Sequence, residues 1–241
     1  MPQFCITPEG ITKEEVIIKN KEAHHLINVL RVKPDQIIRV FTLEGEFFLC
    51  KISKIDGENI IAKIIKKLQP ENSKIYLKLY QALIKLSRFE LLLEKVTELG
   101  VDEIIPVITE RTLIKPDEKK YKKLYLRWNR IILSAIKQCD SFTISKISSK
   151  LLTFKQSIDS LQQQEKGIIC YEEENNLYFK NIIPTIKEKK INLFIGPEGG
   201  FSKQEIQQAL DKNILPVRIT KNIVRSETAS ILSVGLLKSL I

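Results

Sequence analysis

The residues best suited to chemistry lie in two short stretches near the C-terminus. In Leu193-Phe194-Ile195-Gly196-Pro197-Glu198-Gly199-Gly200-Phe201-Ser202-Lys203-Gln204-Glu205, an apolar run enters a turn with three glycines. It leaves through a capping box, Ser202 with Glu205 three positions on. That order predicts a buried strand, a tight turn and a helix start. Glycines at such a turn let a ligand approach the backbone, and ligands of open α/β sheets sit beyond the carboxyl ends of the strands. An ordinary Gly-rich strand-to-helix turn would have the same composition. The turn is not G-x-G-x-x-G, because Glu198 takes the second glycine position, and it is not a P-loop, because no G-K-[ST] follows. The second stretch, Ile219-Thr220-Lys221-Asn222-Ile223-Val224-Arg225-Ser226-Glu227-Thr228-Ala229-Ser230, repeats the arrangement of strand end, polar mouth and helix. The bland alternative there is a helix cap with an ion pair between Arg225 and Glu227.

The elements that must position these stretches alternate along residues 73–241. Strands are expected at Ile75 to Ala82, Ile104 to Ile108, Gly167 to Tyr171, Ile191 to Ile195 and Leu215 to Ile219. Helices are expected at Ser87 to Leu99, Glu118 to Cys139, Phe154 to Gln163, Lys203 to Lys212 and Glu227 to Leu240. Alternation of this kind predicts an α/β fold with a parallel sheet covered on both faces. Before Gln69-Pro70-Glu71-Asn72-Ser73 the rhythm differs. Residues 37 to 42, 46 to 55 and 59 to 68 are β-branched or aromatic runs separated by turn residues, and one helix is expected over Glu22 to Leu30. Residues 1–72 therefore read as a small β-barrel with one helix, and residues 73–241 as a separate α/β domain.

Composition narrows the classes. The 241 residues are 43% hydrophobic and 28% charged, an ordinary globular balance, and no stretch approaches eighteen residues without a charge. No membrane span or secretory leader is expected, since Met1-Pro2-Gln3-Phe4-Cys5 reaches Glu9 without an apolar core. The expected location is cytoplasmic. Cys5, Cys50, Cys139 and Cys170 match neither a disulfide framework nor a metal-binding spacing. His24 and His25 are adjacent, so on a helix they point about 100° apart and cannot make a zinc face. No metal is expected. The net charge of +10 is concentrated after residue 72, with 28 basic against 19 acidic residues there and 11 against 10 before it. Such an excess suits a phosphate-rich partner, although a Lys- and Ile-rich composition can give it without one.

Six segments in order carry a resemblance over nearly the whole chain. They are His24-His25-Leu26-Ile27-Asn28-Val29-Leu30-Arg31, Lys95-Val96-Thr97-Glu98-Leu99-Gly100-Val101, Glu110-Arg111-Thr112, Arg127-Trp128, Gly196-Pro197-Glu198-Gly199-Gly200-Phe201 and Arg225-Ser226-Glu227-Thr228-Ala229. Together they resemble the RsmE family, bacterial 16S ribosomal RNA uridine N3-methyltransferases of the SPOUT superfamily. The resemblance implies an N-terminal PUA-like β-barrel and a C-terminal SPOUT α/β domain with a parallel sheet and a deep trefoil knot. It further implies S-adenosylmethionine as methyl donor, a homodimer, and 16S ribosomal RNA or the small ribosomal subunit as partner. By position the cofactor pocket falls to Cys170 and Tyr171 with Glu172, to Gly196, Pro197, Glu198, Gly199 and Gly200, and to Ile219, Thr220, Ile223 and Val224. This chain departs from the usual Leu-Gly-x-Arg-Ile-Leu-Arg, having Thr220 and Asn222 where glycine and arginine are common. It also has Ser141 at a position usually held by arginine.

Uridine N3 carries an imide proton that must leave before the nitrogen attacks a methyl group, so a site for this reaction needs a base or a group that stabilises the uracil anion. Arg225 suits the second role, since its guanidinium stays charged and can donate to a uracil carbonyl; Glu198 or Glu227 can accept the proton. RNA contacts are expected from Arg31, Lys85, Arg88, Arg111, Lys122, Lys123 and Arg130. For the basic face of helix 118 to 139 a solvated surface is the alternative, and for Arg31 and Arg111 a structural ion pair. Glu98 is structural or catalytic, and His24 and His25 are expected to pack at a helix start. The competing functions are a non-catalytic RNA-binding ribosome-assembly factor on the same fold and a methyltransferase for another RNA.

Overall fold

The computed structural model describes residues 3–69 and 74–241, which group into two compact units. One comprises Met1–Asn72 with Ile136–Ile144, and the other Ser73–Ala135 with Ser145–Ile241. The linker expected at Pro70-Glu71-Asn72-Ser73 lies outside the described residues.

In the first unit, β1 (Gln3–Cys5), β2 (Glu15–Ile18), β3 (Ile37–Phe41), β4 (Phe47–Asp56) and β5 (Asn59–Leu68) form one sheet in the order β1-β3-β4-β5-β2. The expected meander is present as β3, β4 and β5. It turns at Gly45 and Gly57, whose positive φ values of 92° and 61° suit glycine. Edge strands β1, parallel to β3, and β2, antiparallel to β5, extend it; among the described residues no ladder joins β1 to β2. Val16, Ile18, Leu26, Ile38, Val40, Cys50, Ile52 and Ile60 bury one apolar face of this sheet and its helix. That helix, α1 (Asn20–His24), starts earlier than expected and runs on as a π-helical turn over His25–Val29. His24 and His25 are exposed on it, because Ala23 and Leu26 occupy the core-facing positions, although the His25 ring still lies 6.4 Å from that of buried Phe4. The segment Ile136–Ile144 belongs to this unit through specific contacts. Gln3 donates to the Ile136 carbonyl, Arg39 pairs with Asp140, and Phe142 sets its edge 5.0 Å from the Phe47 ring.

The second unit is a parallel sheet in the order β12-β10-β11-β6-β7-β8. Its strands are β6 (Tyr76–Ala82), β7 (Glu103–Ile108), β8 (Lys146–Ile147), β10 (Lys166–Cys170), β11 (Lys190–Ile195) and β12 (Leu215–Val217); β9 (Leu152–Thr153) also pairs with β7. Near-continuous apolar runs such as Ile168-Ile169 and Leu193-Phe194-Ile195 are what strands buried on both faces require. On one face Tyr80 stacks on Phe194 with ring centroids 4.4 Å apart. This face is covered by α4 (Phe154–Asp159) and α6 (Lys203–Asp211) through Phe154, Ile158, Ile206 and Ala209. Against the opposite face of β6 and β11 packs α7 (Ser226–Leu240), itself against α2 (Leu86–Glu98). The sequence places the end of α2 correctly: Gly100, at φ 80°, closes it with Val101 N–H donating to Val96 and Gly100 N–H to Thr97.

On α3 (Glu118–Gln138) the buried stripe is Tyr121, Leu124, Trp128, Ile132, Ala135 and Ile136. Ile132 thus replaces the expected Ile131, because the stripe drifts by one position on a helix this long. Strand β12 stops at Val217 rather than Ile219, since the Arg218 backbone pairs with Leu177 and Phe179 instead of β10, while its side chain holds the loop that follows. Helix α4 is likewise shorter than expected, ending at Asp159. The short α5 (Phe179–Ile182) was not legible in the sequence.

Candidate active site at the carboxyl rim of the sheet

The ends of β10, β11 and β12 converge on a cavity of about 300 Å³. That lies at the lower end of the ~300–1,000 Å³ common for small-ligand sites. One wall is the Gly196–Gly200 turn after β11, and another the 218–225 turn after β12. The end of β10 and the first turn of α7 complete the enclosure.

The glycine turn is held from three sides. Ser226, at the start of α7, donates its hydroxyl to the Gly196 carbonyl. Arg111 Nη1 donates to the Gly199 carbonyl at 2.8 Å, and Glu198 Oε1 accepts from the Lys85 backbone N–H at 3.1 Å. Arg111 is itself placed by a compact turn after β7, where Thr109 and Thr112 hydroxyls lie 2.8 Å apart. The Glu205 carboxylate ties this turn to α6: it accepts from Glu110 N–H at 2.9 Å while completing the expected capping box with Ser202. Gly200 needs its φ of 68°, and a Cβ there would stand 2.0 Å from Glu172 Oε1.

The 218–225 turn is held mainly by its own first residue. The Arg218 guanidinium donates to the carbonyls of Thr220 at 3.0 Å and Lys221 at 2.8 Å, and to Asn175 Oδ1 at 3.0 Å. The Thr220 hydroxyl closes the tip on the Asn222 carbonyl at 2.6 Å. Arg225 caps α7 and is exposed at the cavity, and among the described residues no hydrogen bond or ion pair engages its guanidinium. The ion pair with Glu227 does not form. Glu227 is buried and faces Arg88 Nε at 3.7 Å instead, with its Oε2 lacking a hydrogen-bond partner.

The remaining wall sets uncharged groups beside the Glu172 carboxylate. Burial pushes the Cys170 thiol up to about 12, so it stays protonated at neutral pH, and burial together with the Glu173 carboxylate raises the Tyr171 phenol to about 12. Ile195, Ile219, Ile223, Val224 and Ala229 add apolar surface. A glycine-walled slot of mixed polar and apolar lining, flanked by carboxylates and a free guanidinium, fits a nucleoside with a charged tail. The residues present therefore suit S-adenosylmethionine: the 219–224 turn and the Cys170–Tyr171 strand end would hold the adenosine, and the glycine turn would hold the rest.

The residues singled out from the sequence fall as follows. All those expected to hold a cofactor border the cavity except Gly199, whose carbonyl is turned to Arg111. Arg225 and Glu198 border it, whereas Glu227 stands behind Arg88, which does. Arg111 is occupied at Gly199, and Lys85 contributes a backbone N–H while its side chain is exposed. Lys122, Lys123 and Arg130 lie on the exposed face of α3, away from the cavity lining, and Arg31 is exposed in the first unit at φ 51°. Glu98 is half-exposed and bonded to Lys95 at 2.9 Å, a surface pair. Sequence reasoning missed Arg218 and Gln81. The available signals were a cation at the end of an apolar strand and an amide inside one.

Fold and site together define a two-part protein: a β-sheet module joined in sequence to a parallel-sheet domain with a nucleoside-sized slot at its carboxyl rim. Residues 71–238 match the RNA methyltransferase domain family and residues 18–65 match the RNA methyltransferase PUA domain. A ribosomal RNA small subunit methyltransferase E from Mesomycoplasma hyopneumoniae is 33% identical over 89% of this chain and 90% of that protein. The one from Buchnera aphidicola (subspecies Acyrthosiphon pisum) is 27% identical over 100% and 94%. The crystal structure of a ribosomal RNA small subunit methyltransferase E from Neisseria gonorrhoeae bound to S-adenosyl methionine superposes with a TM-score of 0.86. It is 26% identical, with 100% of this chain and 98% of that one covered. A Legionella pneumophila protein solved with bound S-adenosylmethionine gives 0.82 at 26% identity, covering 98% and 96%. The chain belongs to the RNA methyltransferase family, in the branch of ribosomal RNA small subunit methyltransferase E. Among the described residues no helix is long and apolar enough to cross a membrane, and no cluster of three or more His, Cys, Asp or Glu is placed to hold a metal ion.

Proposed function

We propose that the protein transfers a methyl group from S-adenosylmethionine to N3 of a uridine in 16S ribosomal RNA, in the cytoplasm. The observation that carries this reading is the slot between two strand-end turns, with an unengaged arginine at its mouth, in a chain of the RNA methyltransferase family. Bound S-adenosylmethionine supplies an electrophilic methyl group on a sulfonium. Everything else falls to the chain. The glycine turn and the 219–224 turn orient the donor and exclude water from it. Arg225 donates to a uracil carbonyl oxygen, where charge develops as the N3 proton passes to the second carboxylate oxygen of Glu198. Alignment of donor and nucleophile accounts for much of the acceleration. Of the carboxylates, Glu198 borders the slot but spends one oxygen on Lys85 N–H, and Glu227 holds Arg88; both stand below Arg225 in importance.

The PUA domain of residues 1–72 and the exposed cations Arg31, Lys85, Lys122, Lys123 and Arg130 would receive the RNA, with Arg88 closer to the reacting base. Residues 73–241 would form the catalytic domain. The chain leaves edge strand β12 and returns as α7 beneath the central strands β6 and β11, a path compatible with a C-terminal trefoil knot. The resemblance to the family favours a homodimer.

The test is methyl transfer to small-subunit RNA, read by mass spectrometry of the nucleosides, together with a calorimetric titration of S-adenosylmethionine. Arg225→Ala is expected to lower the transfer rate by about 10²–10³-fold, the scale of losing one donor to a developing anion, while cofactor affinity stays within about twofold. Full residual activity would remove Arg225 from the mechanism. Absence of 3-methyluridine in RNA from cells that contain the protein would overturn the proposed product.

A further inference from the structure

Gln81 has no exposed surface, sits near the carboxyl end of the central strand β6, and carries a polar side chain among the buried residues Leu79, Tyr80 and Ala82. Its amide nitrogen donates to its neighbour's carbonyl on Ala82 at 2.9 Å and to Ser226 Oγ at 3.0 Å. Its amide oxygen accepts from the Ser230 hydroxyl, whose single hydrogen is shared with the Ser226 carbonyl at 3.1 Å. Ser226 Oγ in turn donates to the Gly196 carbonyl. A continuous buried relay therefore runs from the middle of the sheet, through the first turn of α7, to the first residue of the glycine turn. Every polar atom of the Gln81 side chain is used. A fully satisfied buried network of this kind fixes one geometry, because any shift leaves a desolvated donor or acceptor without a partner.

The relay joins the two parts of the site that must agree. At one end is Gly196, which opens the turn that walls the cavity. At the other is the α7 start, whose N-cap is Arg225. The two parts meet at Ser226, whose hydroxyl donates to the Gly196 carbonyl, so the residue that holds the Ser226 side chain from behind sets their spacing. We propose that Gln81 is a positioning residue, which acts through Ser226 to fix the glycine turn relative to the helix that carries Arg225. The amide suits this work better than a carboxylate or an apolar side chain. It presents donors toward the Ala82 carbonyl and Ser226 hydroxyl and an acceptor toward Ser230 at the same time. The inference deepens the S-adenosylmethionine assignment above and rests on it.

Three variants of the full-length protein test this: Gln81→Leu, Ser226→Ala and Ser226→Thr. Each is measured for S-adenosylmethionine affinity by calorimetry, for hydrogen exchange of the 196–200 amides without ligand, and for kcat and KM in methyl transfer. Gln81→Leu is expected to weaken cofactor binding by about tenfold or more and to speed exchange in the turn while β7 stays protected, as follows from leaving buried groups unpaired. Ser226→Ala should shift both readouts in the same direction by a smaller factor, and Ser226→Thr, which keeps the hydroxyl, should restore them. The affinity and exchange readouts do not require the reaction to proceed. If Gln81→Leu does not fold, the two Ser226 variants carry the test. Cofactor affinity and loop exchange unchanged in Gln81→Leu or in Ser226→Ala, or equal loss of protection in the turn and in β7, would overturn the positioning role. A wild-type protein that binds no S-adenosylmethionine would instead overturn the cofactor assignment, with the exchange measurements still reporting on the relay.

Discussion

The two turns that wall the cavity are built in opposite ways. The Gly196–Gly200 turn is pinned from outside itself. Ser226 holds its first carbonyl, Arg111 its fourth, and Lys85 N–H takes the Glu198 carboxylate, so three separate elements meet on five residues. The 218–225 turn is anchored from outside only at its first residue, among the described residues: Arg218 pairs by its backbone with Leu177 and Phe179 and by its side chain with Asn175. Beyond that the turn is tied to itself, since Arg218 reaches forward to Thr220 and Lys221 and Thr220 closes on Asn222. Exposure follows the difference: Phe201, just past the glycine turn, is buried, whereas Ile223 is 76% exposed. A turn held by distant partners is positioned by the whole domain and tolerates little change. A turn anchored at its first residue and otherwise bonded to itself has fewer distant partners to lose when its exposed tip changes shape.

The largest effect should come from the pinned side. Gly200→Val places a branched side chain at a positive φ and against the Glu172 carboxylate, so either the turn or the end of β10 must shift. S-adenosylmethionine binding is expected to disappear from calorimetry while the melting temperature falls only by the few degrees that roughly 1–2 kcal/mol produces in a protein of this size. Retained binding would show that the turn is as adaptable as its neighbour, and the contrast would fail. An intermediate effect is expected from Arg218→Leu. Losing three hydrogen bonds at a part-exposed site should raise KM for S-adenosylmethionine by about tenfold with kcat within about threefold, because the turn stays free to adopt its bound shape on ligand binding. A fall in kcat equal to the rise in KM would mean that Arg218 also positions Arg225.

What the sequence made legible follows the range of the interaction. The alternation of strands and helices, the capping box at Ser202 and the Gly100 helix stop are local patterns, and each occurs where the spacing places it. Both strand-end turns also stood out, because glycines, a proline and clustered polar residues after an apolar run need no tertiary information. The partners did not. Gln81 meets Ser226 145 positions away, and Arg111 meets Gly199 88 positions away, so nothing local tells a clamp from a solvated side chain. Arg111 shows this: one of its N–H groups is spent on the Gly199 carbonyl, a hold that no local pattern marks. The Ile136–Ile144 segment is similar, since its place in the first unit depends on Gln3 and Arg39, more than a hundred positions earlier in the chain.

The smallest expected effect also bears most directly on the self-held turn. Thr220 stands where the sequence resemblance implies glycine, and its side chain has two opposite possible consequences. Its side chain can crowd an approaching adenine, in which case Thr220→Gly tightens S-adenosylmethionine binding. Alternatively it can stabilise the tip through its bond to the Asn222 carbonyl, in which case glycine loosens the turn, both by losing that bond and by gaining backbone freedom. The observed geometry favours the second. The hydroxyl is spent inside the turn, and Arg218 holds the Thr220 carbonyl from the other side, so the residue is oriented by the tip. Because the site is part-exposed and Arg218 remains, the loss should be only about threefold in affinity, the scale of one partly solvated hydrogen bond. Calorimetric titration of Thr220→Gly alone and in the Arg218→Leu background decides it. If the two holds support one tip, the second substitution should cost more in the absence of Arg218, whereas tighter binding in either background would assign Thr220 to obstruction instead.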